Sequence, residues 1–215
     1  MSRVKVKICG VRTLEEARAA VEAGADALGF NFWPRSPRYI APRDAALIAA
    51  QLSPLVSLVG VFVNEQRERI VETAEAVGLH AVQLHGDEPP EFCRGFNRVR
   101  VIKALRVGDD FDCRTLESYA VAMILLDTSV KGTYGGTGHR FDWRKAIEAK
   151  RYAPLILAGG LRADNVAEAI TSVRPAAVDV CSGIEAEPGR KDLRKLRELM
   201  TEVARANALV ATSSD

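Results

Sequence analysis

Two side chains of this 215-residue sequence stand where proton-transfer chemistry could be placed: Cys9, at the end of Val4 to Cys9, and Asp127, after the apolar run Met123-Ile124-Leu125-Leu126. A thiolate can take a proton and a carboxyl group can give one, so the pair could isomerise a small molecule by acid-base catalysis. Gly10 follows Cys9 and lets the backbone turn sharply, leaving the thiol at the end of its element. As a base, the thiol needs a pKa below the usual value of about 8.5, and a nearby cation such as Lys7 would lower it. The competing reading is a small, buried, apolar cysteine. Asp127 has its own duller reading as a turn cap. The segment after it, Thr128 to Gly138, carries Gly132, Gly135, Gly136 and Gly138, whose ordering costs entropy that stability alone does not justify. That loop is expected to close over a substrate and exclude water.

Anion-binding chemistry is written elsewhere in the chain. Gly159-Gly160 and Ser182-Gly183 each follow a β-branched or apolar run, and backbone N-H groups at such turns can hold a phosphate. Tight turns are the alternative for either pair alone. Arg35 and Arg38 lie in the stiff segment Trp33-Pro34-Arg35-Ser36-Pro37-Arg38-Tyr39, where a guanidinium fork suits a carboxylate or second anion. The alternative there is a solvated basic loop. His85 reads as a base, a ligand or a hydrogen-bonding wall residue, and without a metal partner the last is preferred. Lys7 and Asp179 read best as mutual neutralisers.

The elements that must position these residues alternate without a composition break. Val4 to Cys9, Ala27 to Phe32, Ser57 to Val63, Ala81 to His85, Val99 to Ala104, Ala122 to Asp127, Pro154 to Ala158 and Ala176 to Cys181 read as strands. Between and after them, Leu14 to Ala23, Pro42 to Gln51, Glu65 to Val77, Pro89 to Phe96, Thr115 to Tyr119, Trp143 to Ala149, Ala163 to Val173 and Lys191 to Ala206 read as helices. Thr13 and Glu16 form a capping-box pattern for the first helix, and Gly24 stops it. Eight such units predict a single-domain, eight-stranded parallel (β/α)8 TIM barrel over 1–209, with 210–215 as a short, frayed polar tail. Alternation along the strands then puts Cys9, His85, Asp127 and Cys181 at the barrel mouth. Lys7, Gln83, Lys103 and Asp179 fall inside the barrel.

Composition narrows the function classes. Thirty Lys and Arg against 28 Asp and Glu give a formal charge of +2, which offers no broad footprint for nucleic acid or an anionic membrane. The N-terminus alternates charge with valine, and no run approaches a membrane span, so a cytoplasmic protein is expected. Cysteines at 9, 93, 113 and 181 are expected as reduced thiols, without the Cys/His pairing of a structural zinc site. The partner is a small molecule. Monomer and homodimer both stay open.

In this order the motifs resemble the phosphoribosylanthranilate isomerase family of tryptophan biosynthesis. The resemblance rests on Lys7-Ile8-Cys9-Gly10, Ser36-Pro37-Arg38-Tyr39-Ile40, Val82-Gln83-Leu84-His85-Gly86, Leu125-Leu126-Asp127, Gly135-Gly136-Thr137-Gly138, the run from Ala158 to Val166, and Asp179-Val180-Cys181-Ser182-Gly183-Ile184-Glu185. It implies an Amadori rearrangement, an aldose-to-ketose isomerisation without metal or organic cofactor. It also implies Cys9 as general base, Asp127 as general acid, Arg38 on the anthranilate carboxylate, and Gly159, Gly160, Ser182 and Gly183 on the phosphate. Cys181 departs from the family's common serine, and a hydroxyl contact to phosphate would be lost there. Two other functions fit the same barrel: a Schiff-base aldolase acting on a phosphorylated sugar through Lys7 or Lys103, and a non-catalytic barrel that binds phosphorylated metabolites. A related isomerase of histidine biosynthesis carries an aspartate where Cys9 stands.

Overall fold

The structure, a computed structural model, describes residues 3–108, 110–128 and 143–212. Eight parallel strands close one barrel in chain order: β1 (Lys5–Cys9), β2 (Ala27–Asn31), β3 (Ser57–Phe62), β4 (Ala81–Leu84), β5 (Arg100–Val107), β6 (Met123–Thr128), β7 (Leu155–Leu157) and β8 (Ala177–Val180). Helices α1 (Leu14–Glu22), α2 (Pro42–Ala49), α3 (Arg67–Val77), α4 (Trp143–Ala149), α5 (Val166–Val173) and α6 (Leu193–Thr212) surround it. The single-domain (β/α)8 barrel expected from the alternating pattern is therefore the fold. The glycine-rich segment Gly132 to Gly138 lies outside the described residues.

Strand periodicity separates two apolar layers. Val6, Ile8, Leu28, Leu126 and Val178 point outward and pack beneath the helices, while Val59, Ile102, Leu125, Ile156 and Ala177 fill the interior. Lys7, Gln83, Lys103 and Asp179 are buried among the inward set, as alternation requires. Helix ends follow local chemistry. Thr13 Oγ1 accepts the Glu16 amide at 3.1 Å, and Gly78 ends α3 in the left-handed conformation at φ 73°. Glu16 does not complete a reciprocal box with Thr13; its carboxylate accepts the amides of Arg12 and Lys191, both at 2.9 Å.

Three elements differ from the sequence-based expectation. Residues 89–96 form turns, because Gly95 adopts φ 84° and leaves too few residues before it to nucleate a helix. Arg67 anchors this segment, donating to the carbonyls of Phe92 and Arg94 and lying over both the Phe92 and Phe96 rings. The fifth helix is a 3-10 helix, Cys113–Ser118, opened by Asp112 accepting the Arg114 amide at 2.9 Å. The last helix runs past Ala206 to Thr212, with Val210 packed on the core, so 210–212 continue the helix. An unexpected hairpin, β9 (Glu185–Glu187) and β10 (Arg190–Lys191), follows β8. Among the described residues, no helix is long and apolar enough to cross a membrane.

Candidate active site

Three inward-facing groups from neighbouring strands meet at the C-terminal mouth. Lys7 Nζ donates to Asp179 Oδ1 at 2.9 Å, with both side chains more than nine-tenths buried. Burial alone would lower the lysine, but Asp179 and the Cys9 sulfur outweigh it and raise its pKa. Burial pushes the Asp179 carboxyl up to about 6, against the opposing pull of Lys7. Removing either partner of such a pair costs roughly 3–5 kcal/mol, so Lys7 belongs first to the fold. Its second effect is on Cys9, one turn of the strand pleat above it. The neighbouring Cys181 and the charges of Lys7 and Lys191 outweigh burial and hold the Cys9 thiol well below the usual thiol range. Cys93 and Cys113 go the other way, because burial raises both. Of these three, only Cys9 is set up to be a thiolate near neutrality.

Across the mouth, Asp127 stands one residue before the end of β6 with 6% of its surface exposed. His85 Nε2 lies 3.5 Å from Asp127 Oδ2, and its Nδ1 is 2.7 Å from Gln83 Nε2. With the Gln83 amide donating, Nδ1 is the acceptor and Nε2 carries the ring proton toward the cavity. Cys9, Asp127, His85, Arg38 and Trp33 line one cavity, so the residues proposed from sequence for the reacting centre are brought together. Asp127, Asp179 and Cys181 also line the adjoining cavity, whose other walls include Gly159, Gly160, Ser182 and Gly183. The two cavities share these three walls.

The second cavity is built from backbone. Gly159 and Gly160 follow β7 with φ of 86° and 63°, a conformation that side-chain-bearing residues rarely adopt. Asn165, buried, donates to the Gly160 carbonyl at 2.9 Å and accepts the Arg162 amide at 2.9 Å, which fixes the loop. Ser182–Ile184 form a short 3-10 helix after β8. A Cβ on Gly183 would collide with the Leu161 carbonyl. Gly183→Ala is expected to destabilise the protein by about 1–3 kcal/mol, through forced displacement of the β7 loop. Chemical denaturation checks this, and an unchanged midpoint would show that the two loops are not in contact.

Comparison with known proteins gives this arrangement its context. A model of the N-(5'phosphoribosyl)anthranilate (PRA) isomerase family matches residues 6–202. The chain belongs to this family. It is 52% identical over 198 residues to the N-(5'-phosphoribosyl)anthranilate isomerase of Citrifermentans bemidjiense, covering 92% of this chain and 96% of that protein. It is also similar to the crystal structure of the isomerase from Thermotoga maritima, with TM-score 0.87, 48% identity, and coverage of 94% and 99% of the two chains. A third similar structure, TM-score 0.83 and 46% identity over 94% and 99% of the chains, is an isomerase complexed with reduced 1-(o-carboxyphenylamino)-1-deoxyribulose 5-phosphate.

Within this isomerase fold, three contributors to the site escaped the sequence-based list. Glu185 grips Arg38 through two bonds, Nε to Oε1 at 2.9 Å and Nη2 to Oε2 at 2.7 Å. Lys191 reaches the same carboxylate oxygen at 3.0 Å. Arg38 therefore enters the site with one edge of its fork already held by the protein, and its remaining N-H groups are the ones left to face a ligand. Gly29 in β2 faces the space that Cys9 and Lys7 fill; a Cβ there would lie 2.9 Å from Cys9 Sγ and 3.1 Å from Lys7 Cε. A glycine inside a strand is a readable sign of close approach. Glu185 and Lys191 carry no such sign, because the hairpin that holds them was not expected.

Proposed function

We propose that this isomerase converts N-(5-phosphoribosyl)anthranilate to 1-(2-carboxyphenylamino)-1-deoxy-D-ribulose 5-phosphate, in tryptophan biosynthesis, with Cys9 as general base and Asp127 as general acid. The observation that carries the reading is a pair of adjoining cavities that share Asp127, Asp179 and Cys181 as walls. At one end a thiol poised for ionisation faces a carboxyl group, and at the other lies a backbone cradle shaped by Gly159, Gly160 and Gly183. A substrate with its phosphate in the cradle would present its ribose between Cys9 and Asp127.

Asp127 gives its proton to the furanose ring oxygen. The C1′–O bond breaks and the anthranilate nitrogen lone pair forms the C1′=N iminium. Cys9 thiolate takes the C2′ proton, and that electron pair forms the C1′=C2′ bond while the iminium electrons return to nitrogen. The resulting enolamine tautomerises, its hydroxyl becoming the C2′ ketone as C1′ gains a proton. Cys9 then holds one proton too many and Asp127 one too few, and exchange with solvent resets both. The iminium acidifies the C2′ proton, so a thiolate is a sufficient base.

His85 would form a polar wall beside Asp127, and Arg38 would bind the anthranilate carboxylate through the edge that Glu185 leaves open. Arg38→Ala is expected to raise KM about 10- to 100-fold, with a smaller change in kcat, because the lost charge-assisted bonds are equal in ground and transition states. Steady-state kinetics checks it. A fall in kcat with unchanged KM would count against anchoring.

Both lysines of the aldolase alternative are engaged. Lys7 is held by Asp179, and Lys103 Nζ donates to Glu88 at 2.6 Å and to the Gly86 carbonyl at 2.8 Å. A Schiff-base nucleophile must be free to reach a carbonyl carbon, and both side chains are held by buried carboxylates. The direct test is a fluorescence assay following loss of phosphoribosylanthranilate with the wild-type chain. A folded protein that leaves the substrate unconverted would end this reading.

A further inference from the structure

Resting on the reading of Cys9 as base, we infer that Cys181 is a positioning residue: its S-H donates to the Cys9 sulfur and keeps the base ionised. The register places the two side by side. β1 and β8 are parallel neighbours pairing Lys7 with Asp179 and Ile8 with Val180, so Cys9 and Cys181 are the next step along both chains. Neighbouring strands lie about 4.8 Å apart, and the two residues share the inward parity of Lys7 and Asp179. Cys181 Sγ also packs against the residue after Cys9, lying 3.2 Å from where a Gly10 Cβ would stand.

Charge in the cluster calls for one thiolate. Lys7, Arg38 and Lys191 bring three positive charges, while Asp179 and Glu185, above pH about 6, bring two negative ones. Among these five groups the excess is one positive charge, which one anionic sulfur removes and two would overshoot. The second sulfur must then stay protonated. Cys181 is the better thiol, because its Sγ is placed to donate to Glu185 Oε1 at 3.8 Å, where a second anion would be repelled. Its single proton has two possible acceptors. Glu185 Oε1 already receives Arg38 Nε at 2.9 Å and Lys191 Nζ at 3.0 Å, so the Cys9 thiolate gains more from it. The shifts agree in direction: Cys181, which burial also raises, lies well above the usual thiol range, and Cys9 lies well below it in spite of burial.

The charged and titratable groups that face this pair come from every side. Lys7 lies on the strand of Cys9, Asp179 on that of Cys181, and Lys191, Glu185 and Arg38 close the cluster from the hairpin and the loop after β2. Asp127 and His85 stand across the cavity. Cys181→Ala removes the donor and leaves all of these in place.

Two titrations test the inference: the acid limb of kcat/KM, and the ultraviolet absorbance of the Cys9 thiolate, taken as the difference from the same chain carrying Cys9→Ser. Cys181→Ala should move both midpoints upward by about one to two pH units, the range of one hydrogen bond to a charged group. Cys181→Ser, which restores a donor, should return both to within about half a unit of wild type. Midpoints unmoved by alanine, or moved equally by serine and alanine, would overturn the inference. If the absorbance midpoint moves while the kinetic limb stays, the coupling of the two thiols stands and the base role of Cys9 falls. Circular dichroism on each variant separates these outcomes from misfolding.

Discussion

Cys9→Ser is expected to lower kcat by at least roughly a hundredfold, the lower scale for loss of an acid-base group. The substitution keeps the shape of the side chain in its pocket against Gly29, so the barrel should fold unchanged. What it removes is ionisation. Lys7, Lys191 and the Cys181 donor together hold the thiol below its usual range, but a hydroxyl starts far too high for the same surroundings to strip its proton. Because the C2′ proton is taken only in the transition state, kcat and kcat/KM should fall together and KM should stay near its wild-type value. The fluorescence assay for phosphoribosylanthranilate reads this directly. A serine variant within about tenfold of wild-type kcat would remove Cys9 from the base role.

Asp127→Asn should have an effect of the same size, for the opposite reason. Asparagine is nearly isosteric and can still meet His85 across the 3.5 Å gap, so the wall of the cavity is preserved. It has no acidic proton to give to the ring oxygen. The expected loss in kcat is again at least roughly a hundredfold. Thermal unfolding close to wild type would assign that loss to chemistry. If Asp127→Asn retained activity while Cys9→Ser lost it, ring opening would have to draw its proton from elsewhere, and His85 would be the first group to vary. Combining the two substitutions should cost less than the product of the single losses, since both serve one reaction path.

Much of the site was legible because strand periodicity is local. Residues two apart share a face, so Lys7 with Cys9, Gln83 with His85, Leu125 with Asp127, and Asp179 with Cys181 could be sorted before any neighbour was known. The barrel rule then carried Cys9 and Asp127 to one mouth and the Gly159 and Gly183 loops beside them. Helix extent was less legible where local pattern met long-range packing. Residues 89–96 look short and helical, yet the left-handed Gly95 and the grip of Arg67 make them turns, while Val210 extends the last helix because a core surface is there to receive it.

The sequence by itself determined the alternation of strands and helices, the inward parity of the polar strand residues, and the residue types suited to acid, base and anion binding. These depend on repeats of two and of 3.6 residues, which a chain carries without being folded. Only the tertiary structure decided which distant groups share a charge. Arg38 meets Glu185 across 147 positions, Lys7 meets Asp179 across 172, and Cys9 meets Cys181 because β8 closes on β1. Those contacts depend on closure of the barrel and on the hairpin after β8. They gather these charged and polar groups around Cys9, and no local pattern encodes them.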